Sequence, residues 1–121
     1  MANHHCQTLA VTCIDFRFQE YINRWISENL PPKSYDRVAL AGCVRNFDIT
    51  LEQIRISKRL HDIKEVVLIN HEDCGAYIEQ DTHEKHSRDL RDAKAAVKSE
   101  FPDLKIKTFY LHLDGSFEEV A

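Results

Sequence analysis

Short apolar runs alternate with stretches of helical periodicity along most of the chain. Leu9-Ala10-Val11-Thr12-Cys13 reads as a buried strand. Phe18, Ile22, Trp25 and Ile26 then recur at i, i+4, i+7 and i+8, the apolar stripe of an amphipathic helix. Pro31-Pro32 stops that helix, because proline has no amide hydrogen and crowds the preceding turn. Residues 38–41, Val-Ala-Leu-Ala, form a second short strand ended by Gly42. Thr50 and Gln53 stand at capping-box spacing, so the pattern predicts a second helix from near Thr50 through Ile54, Ile56 and Leu60. Val66-Val67-Leu68-Ile69 is apolar on both faces, as a central parallel strand must be. A third helix carries Leu90, Ala93, Val97 and Phe101 on one face and charged residues elsewhere, and Pro102 ends it. Residues 106–113 make a fourth strand, and the Asp114-Gly115 turn signal allows residues 117–120 to return antiparallel.

The order β-α-β-α-β-α-β predicts an α/β fold. Right-handed crossovers give a parallel sheet of about four strands, order 2-1-3-4, with helices on both faces and a possible antiparallel C-terminal strand. With 121 residues the expectation is a single domain over residues 1–121. The net charge of -4, from 20 acids and 16 bases, offers no electrostatic grip on nucleic acid or on an anionic membrane. No apolar run approaches the ~20 residues of a membrane span, and Met-Ala-Asn-His-His-Cys lacks the plan of a signal peptide. The expected location is cytoplasmic. There Cys6, Cys13, Cys43 and Cys74 are packed thiols or metal ligands rather than disulfides.

Ligands of such sheets bind beyond the carboxyl ends of the strands, where the winding reverses. If it reverses after the second strand, the first and third strands are neighbours there. Cys13-Ile14-Asp15-Phe16-Arg17 closes the first strand and His71-Glu72-Asp73-Cys74-Gly75 follows the third. Two thiolates and an imidazole brought to one sheet edge make a Cys2His set, which tetrahedral Zn2+ accepts with a fourth position left for water or substrate. Each piece alone has a plainer reading. Cys13 could be a packed thiol, His-x-x-Cys a chance match, Asp15 a helix N-cap and Arg17 a solvated helix residue. The joint placement carries the case. A phosphatase cradle, in which arginine follows the cysteine after five residues, fails because that position is Gln19.

With these two motifs, CIDFR and HEDCG, the chain resembles the β-class carbonic anhydrases, over roughly residues 8–120. An AGCV segment at 41–44 is similar to the family's Ala-Gly turn, and LHLDGSFEEV to its last parallel strand running into an antiparallel one. The resemblance implies that Cys13, His71 and Cys74 are zinc ligands. It implies that Asp15 and Arg17 form a dyad beside the open position, with the carboxylate either orienting water there or ligating the metal itself. Backbone N–H groups near Gly75 would help hold a bicarbonate oxygen. The implied activity is reversible hydration of carbon dioxide to bicarbonate. The alternatives are carbonyl sulfide or carbon disulfide hydrolysis at the same centre, or a non-catalytic zinc module closed by Asp15.

Some residues depart from the family's pattern or stand outside it. Phe16 occupies a slot where the family usually has a small residue, and its ring is expected to narrow or dry the pocket. Ala39-Leu40 precede the Ala-Gly turn, where the family usually has Arg-Asn. The first strand begins within about ten residues of Met1, so the family's N-terminal helical arm is expected to be absent, and dimers by arm exchange with it. An exposed sheet edge and an apolar rim still predict self-association, as a homodimer or higher homo-oligomer. Cys43 is expected as a packed thiol, and His83 and His86 as a solvated face, with a proton-shuttle or second-metal role as the alternative. His4, His5 and Cys6 read as a frayed terminus able to bind metal adventitiously. Tyr77 stands just beyond Cys74, within possible reach of the pocket.

Overall fold

Every residue of β1 (Thr8–Thr12) is buried, as is all of β3 (Glu65–His71) except Glu65. Apolar side chains on both faces force both strands to the middle of the sheet. The computed structural model describes residues 4–121, and those residues form a five-stranded sheet of order β2-β1-β3-β4-β5. Between β1 and β3 lie α1 (Gln19–Asn29), β2 (Tyr35–Ala39) and α2 (Phe47–His61). Then come α3 (His83–Glu100), β4 (Lys105–Leu111) and β5 (Phe117–Glu119). β1 runs parallel to β2 and β3, β4 parallel to β3, and β5 antiparallel to β4.

The two sheet faces make two cores. Leu9, Val11, Val66 and Leu68 point to one side and pack with Ile54 of α2 and with Leu90, Ala93 and Val97 of α3. Ala10, Val67 and Ile69 point to the other, against Phe18, Ile22 and Ile26. The alternation is the period of two that a strand imposes.

The second and third elements differ from their sequence pattern. β2 starts at Tyr35 rather than at Val38 and includes Asp36 and Arg37. It is an edge strand with one neighbour, so polar residues are tolerated and the apolar signal is weak. α2 starts at Phe47, not near Thr50, because a 3-10 turn over Cys43–Asn46 has already wound the chain. Thr50 is buried inside the helix and its hydroxyl donates to the Cys43 carbonyl at 2.7 Å, so it caps nothing. Leu60 is exposed. The predicted hairpin forms, with Gly115 at φ +91 in its turn.

Register positions the functional residues. Thr12 lies opposite Ile69, so the chain leaving β1 at Cys13 stands beside the last residues of β3. Gly42 completes the edge. Its φ of +79 is left-handed, and a Cβ there would come within 2.7 Å of the Arg45 Cβ.

Candidate metal centre

The chain leaves β1 and β3 at the same sheet edge, and the two exits bring Cys13, His71 and Cys74 together. All three are buried, and one ligand atom from each lies within 4.8 Å of the other two. The His71 Nδ1 lies 2.7 Å from the Glu72 carbonyl oxygen. A carbonyl only accepts, so Nδ1 carries a hydrogen and Nε2 is the nitrogen left to offer a lone pair to a metal. That Nε2 is buried and has no hydrogen-bond partner among the described residues. Native proteins rarely strand a buried polar atom. The Phe18 ring, 4.2 Å from the imidazole centroid to centroid, fixes its plane.

The thiols complement this. The Gly42 amide donates to Cys13 Sγ at 3.2 Å. The contact with Cys74, with smaller help from His71 and that amide, outweighs burial and pushes the Cys13 thiol well below its ordinary range. The same contact pushes Cys74 up, so the pair keeps one proton on Cys74 and a thiolate on Cys13. Two sulfurs and a nitrogen lone pair facing one point fit a borderline-soft divalent cation such as zinc.

Asp15 caps a turn and pairs with Arg17 at the same time. Its Oδ1 caps a 3-10 turn over Phe16–Phe18, accepting from the Arg17 amide at 2.9 Å. The Arg17 guanidinium then grips the same carboxylate, Nε to Oδ1 at 3.1 Å and Nη2 to Oδ2 at 2.7 Å. That pairing holds the Asp15 carboxyl at about 2. Its Oδ2 lies 3.9 Å from His71 Nε2, beside the ligand atoms but outside hydrogen-bond range. Arg17 also donates to the Asp73 carboxylate at 2.9 Å and to the Asp73 carbonyl at 2.8 Å. One guanidinium thus ties the loop after β1 to the loop after β3. Gly75 opens the turn after Cys74 and is exposed, with nothing within 4 Å of a Cβ built on it.

Behind Cys74 lies a polar network. The Cys74 amide donates to Asp81 Oδ2 at 3.1 Å, and His86 Nε2 donates to Asp81 Oδ1 at 2.7 Å. Asn70 Nδ2 donates to His86 Nδ1 at 2.9 Å and to the Tyr77 hydroxyl at 2.8 Å, and Tyr77 donates to Asp89 at 2.9 Å. His86 is therefore no solvated residue. It is fully buried, and burial pushes its pKa down. The signal was there: His86 continues the stripe Leu90, Ala93, Val97 one turn toward the N-terminus of α3. Asp73 and Asp81 have no such periodic signal, since both sit in turns. His83 stays on the surface, 3.0 Å from Glu118, and does not pair with His86. Tyr77 is buried behind Cys74, and Cys43 is packed with its thiol pushed up by burial.

Phe16 does not narrow the pocket within the chain, because its ring is 86% exposed. Ile14, Ile78 and Leu113 are exposed along the same carboxyl edge of the sheet, and Ile78 holds a left-handed φ of 54.

A family model described as "Putative carbonic anhydrase" matches residues 3–121. The chain belongs to that family. An uncharacterized protein of Rickettsia conorii is 32% identical, the match covering 97% of this chain and 73% of that one. Among solved structures, carbonic anhydrases from Glaciozyma antarctica and Streptococcus mutans each superpose with a TM-score of 0.71 at 19% identity. They cover 98% and 100% of this chain and 83% and 86% of their own. A carbon disulfide hydrolase in its apo form superposes with a TM-score of 0.62 at 13% identity, covering 98% of this chain and 80% of its own. At these identities the likeness is one of fold, and the fold is that of the β-carbonic anhydrases. Among the described residues no helix is long and apolar enough to cross a membrane.

Proposed function

We propose that this member of the carbonic anhydrase family holds one zinc ion on Cys13 Sγ, His71 Nε2 and Cys74 Sγ and catalyses reversible hydration of carbon dioxide to bicarbonate. The observation that carries the reading is the buried His71 Nε2, which has no hydrogen-bond partner among the described residues and belongs to a cluster with two sulfurs. Zinc in that donor set would supply a Lewis acid that lowers the pKa of water and makes it nucleophilic.

The chain's own residues do the rest. Asp15 is an acceptor-only carboxylate beside the ligand atoms, placed to take a hydrogen bond from the attacking water and to hold its lone pair toward substrate. Arg17 keeps that carboxylate ionised and aimed. To close the fourth position Asp15 would have to break its hydrogen bonds to Arg17, which favours an open, catalytic centre over a closed module. The Gly75 amide, on an exposed and uncrowded turn, is the proposed donor to a bicarbonate oxygen. A second copy of the chain is the proposed cover for Ile14, Phe16, Ile78 and Leu113, giving a homodimer or larger homo-oligomer with an apolar wall for carbon dioxide.

The test combines metal analysis with stopped-flow carbon dioxide hydration. The reading requires about one zinc at this centre, lost on replacing His71 with alanine, and hydration above the buffer blank. A folded protein that takes up no zinc overturns it. Carbonyl sulfide and carbon disulfide present the same linear electrophilic carbon, and one fold neighbour is a carbon disulfide hydrolase. Turnover of those alone would keep the centre and change the substrate.

A further inference from the structure

At the opposite end of the sheet, the amino end, a second constellation of metal-binding side chains assembles from three separate segments. Cys6 lies just before β1, Asp36 in β2 and His61 at the last position of α2. One ligand atom from each lies within 4.8 Å of the other two. The cluster is held from several directions. The Cys6 amide donates to the His61 carbonyl at 3.1 Å, the Ser57 hydroxyl donates to Asp36 Oδ2 at 2.6 Å, and His61 Nδ1 lies 2.7 Å from the same oxygen. The His4 ring is tilted against His61, 4.9 Å between centroids, and brings a second imidazole to the group.

We infer that Cys6, Asp36 and His61, with His4 as a fourth donor, form a second binding site for a divalent transition-metal ion of the zinc type.

Hydrogen bonding engages Ser57, Asp36 and His61 closely and the thiol only weakly. The Cys6 Sγ contact to the Thr8 carbonyl is long, 3.8 Å, and thiols are weak donors. A thiolate and a carboxylate together balance the 2+ charge, and mixed sulfur, nitrogen and oxygen donors select zinc-like ions over magnesium or calcium. The side chains of His61 and Asp36 are 24% and 28% exposed, which gives an ion a path in and makes the site weaker than a fully buried centre. Cys6 also lines a surface cavity of about 420 Å³ with Lys33, Ser34 and Lys64. A bound ion would clamp the segment at residues 4–6 to the end of α2 and the edge strand β2.

The test is zinc titration of the untagged protein against a chromophoric chelator. The parent is expected to take up two equivalents, and Cys6→Ser and His61→Gln each to weaken the second at least tenfold while leaving the first. With cobalt, a Cys13→Ser/Cys74→Ser variant should keep a thiolate-to-cobalt absorption band that a further Cys6→Ser removes. Cys6→Ser is nearly isosteric at a half-buried position, so the parent comparison stands even if the multiple variants fold poorly. A single equivalent in the parent overturns the inference. So does a second equivalent that survives Cys6→Ser and His61→Gln but disappears with Glu118→Gln, which would put the ion on the surface pair His83 and His112.

Discussion

Asp15 joins local backbone geometry to its proposed part in the chemistry. One oxygen ends the turn after β1 and both oxygens engage Arg17. Replacing it with asparagine keeps an oxygen for the Arg17 amide but removes the charge. Asp15→Asn is expected to keep fold and zinc and to lose at least about 10²-fold in kcat/KM, the scale of a lost proton-accepting group. Stopped-flow hydration with metal analysis on the same sample checks this, and parental activity would reduce Asp15 to a cap. The thiols set a second expectation. The contact between the two thiols lowers the pKa of Cys13 and raises that of Cys74, so zinc uptake at neutral pH is expected to displace about one proton from the pair. Affinity should then fall about tenfold for each pH unit of acidification, as competition titrations at several pH values would read. An affinity indifferent to pH would mean that the sulfurs do not ligate.

Among the elements, α3 matters beyond its core face, because His86 reaches from it through Asp81 to the amide of Cys74. His86→Ala would leave a cavity and strip Asp81 and Asn70 of a buried partner, a loss of about 3 kcal/mol. Urea denaturation would measure it. The pH dependence follows from the direction of the shift. Burial depresses the folded-state pKa of His86 below the ordinary 6.5, so the folded protein holds this ring neutral. Above pH 6.5 neither state binds the proton and stability is unaffected. As pH falls below that, the unfolded chain takes up a proton that the folded one refuses, and stability declines until the folded pKa is reached. As pH falls below about 6.5 the parent should lose more stability than His86→Ala does. Equal slopes would show that other groups carry the acid sensitivity.

At the scale of the whole molecule, Ile14, Phe16, Ile78 and Leu113 are exposed beside the buried Cys13, His71 and Cys74, and a second copy is their proposed cover. Light scattering at micromolar concentration is expected to find a dimer or larger assembly, and Phe16→Ser with Ile78→Ser to shift it toward monomer. A monomeric parent would leave the pocket without its proposed wall. The overall pH profile is a further expectation. Two thiolates would offset the charge of Zn2+ that three neutral histidines leave in place, so acidification of water at the proposed centre would be weaker than the pKa of about 7 reached with three histidines. Hydration by the zinc-loaded protein should rise from neutral toward pH 9, and a flat profile would contradict the mechanism.

Strand order and the convergence of CIDFR with HEDCG were legible in the chain because both depend on local pattern. Apolar runs with period two, helical stripes and right-handed crossovers leave few topologies, and adjacency of β1 and β3 then forces Cys13, His71 and Cys74 to one edge. Local signals failed where a distant contact outweighs a local rule. Thr50 resembles a cap until the Cys43 carbonyl takes its hydroxyl, and His86 sits among charged neighbours until Asp81 and Asn70 satisfy both its nitrogens. Phe16 resembles a pocket residue by its slot, yet the turn capped by Asp15 leaves its ring in solvent. The link from Arg17 to Asp73 and the meeting of Cys6, Asp36 and His61 join residues separated by tens of positions. No periodicity encodes such pairings, because only the packed sheet decides which chain ends and edges lie side by side.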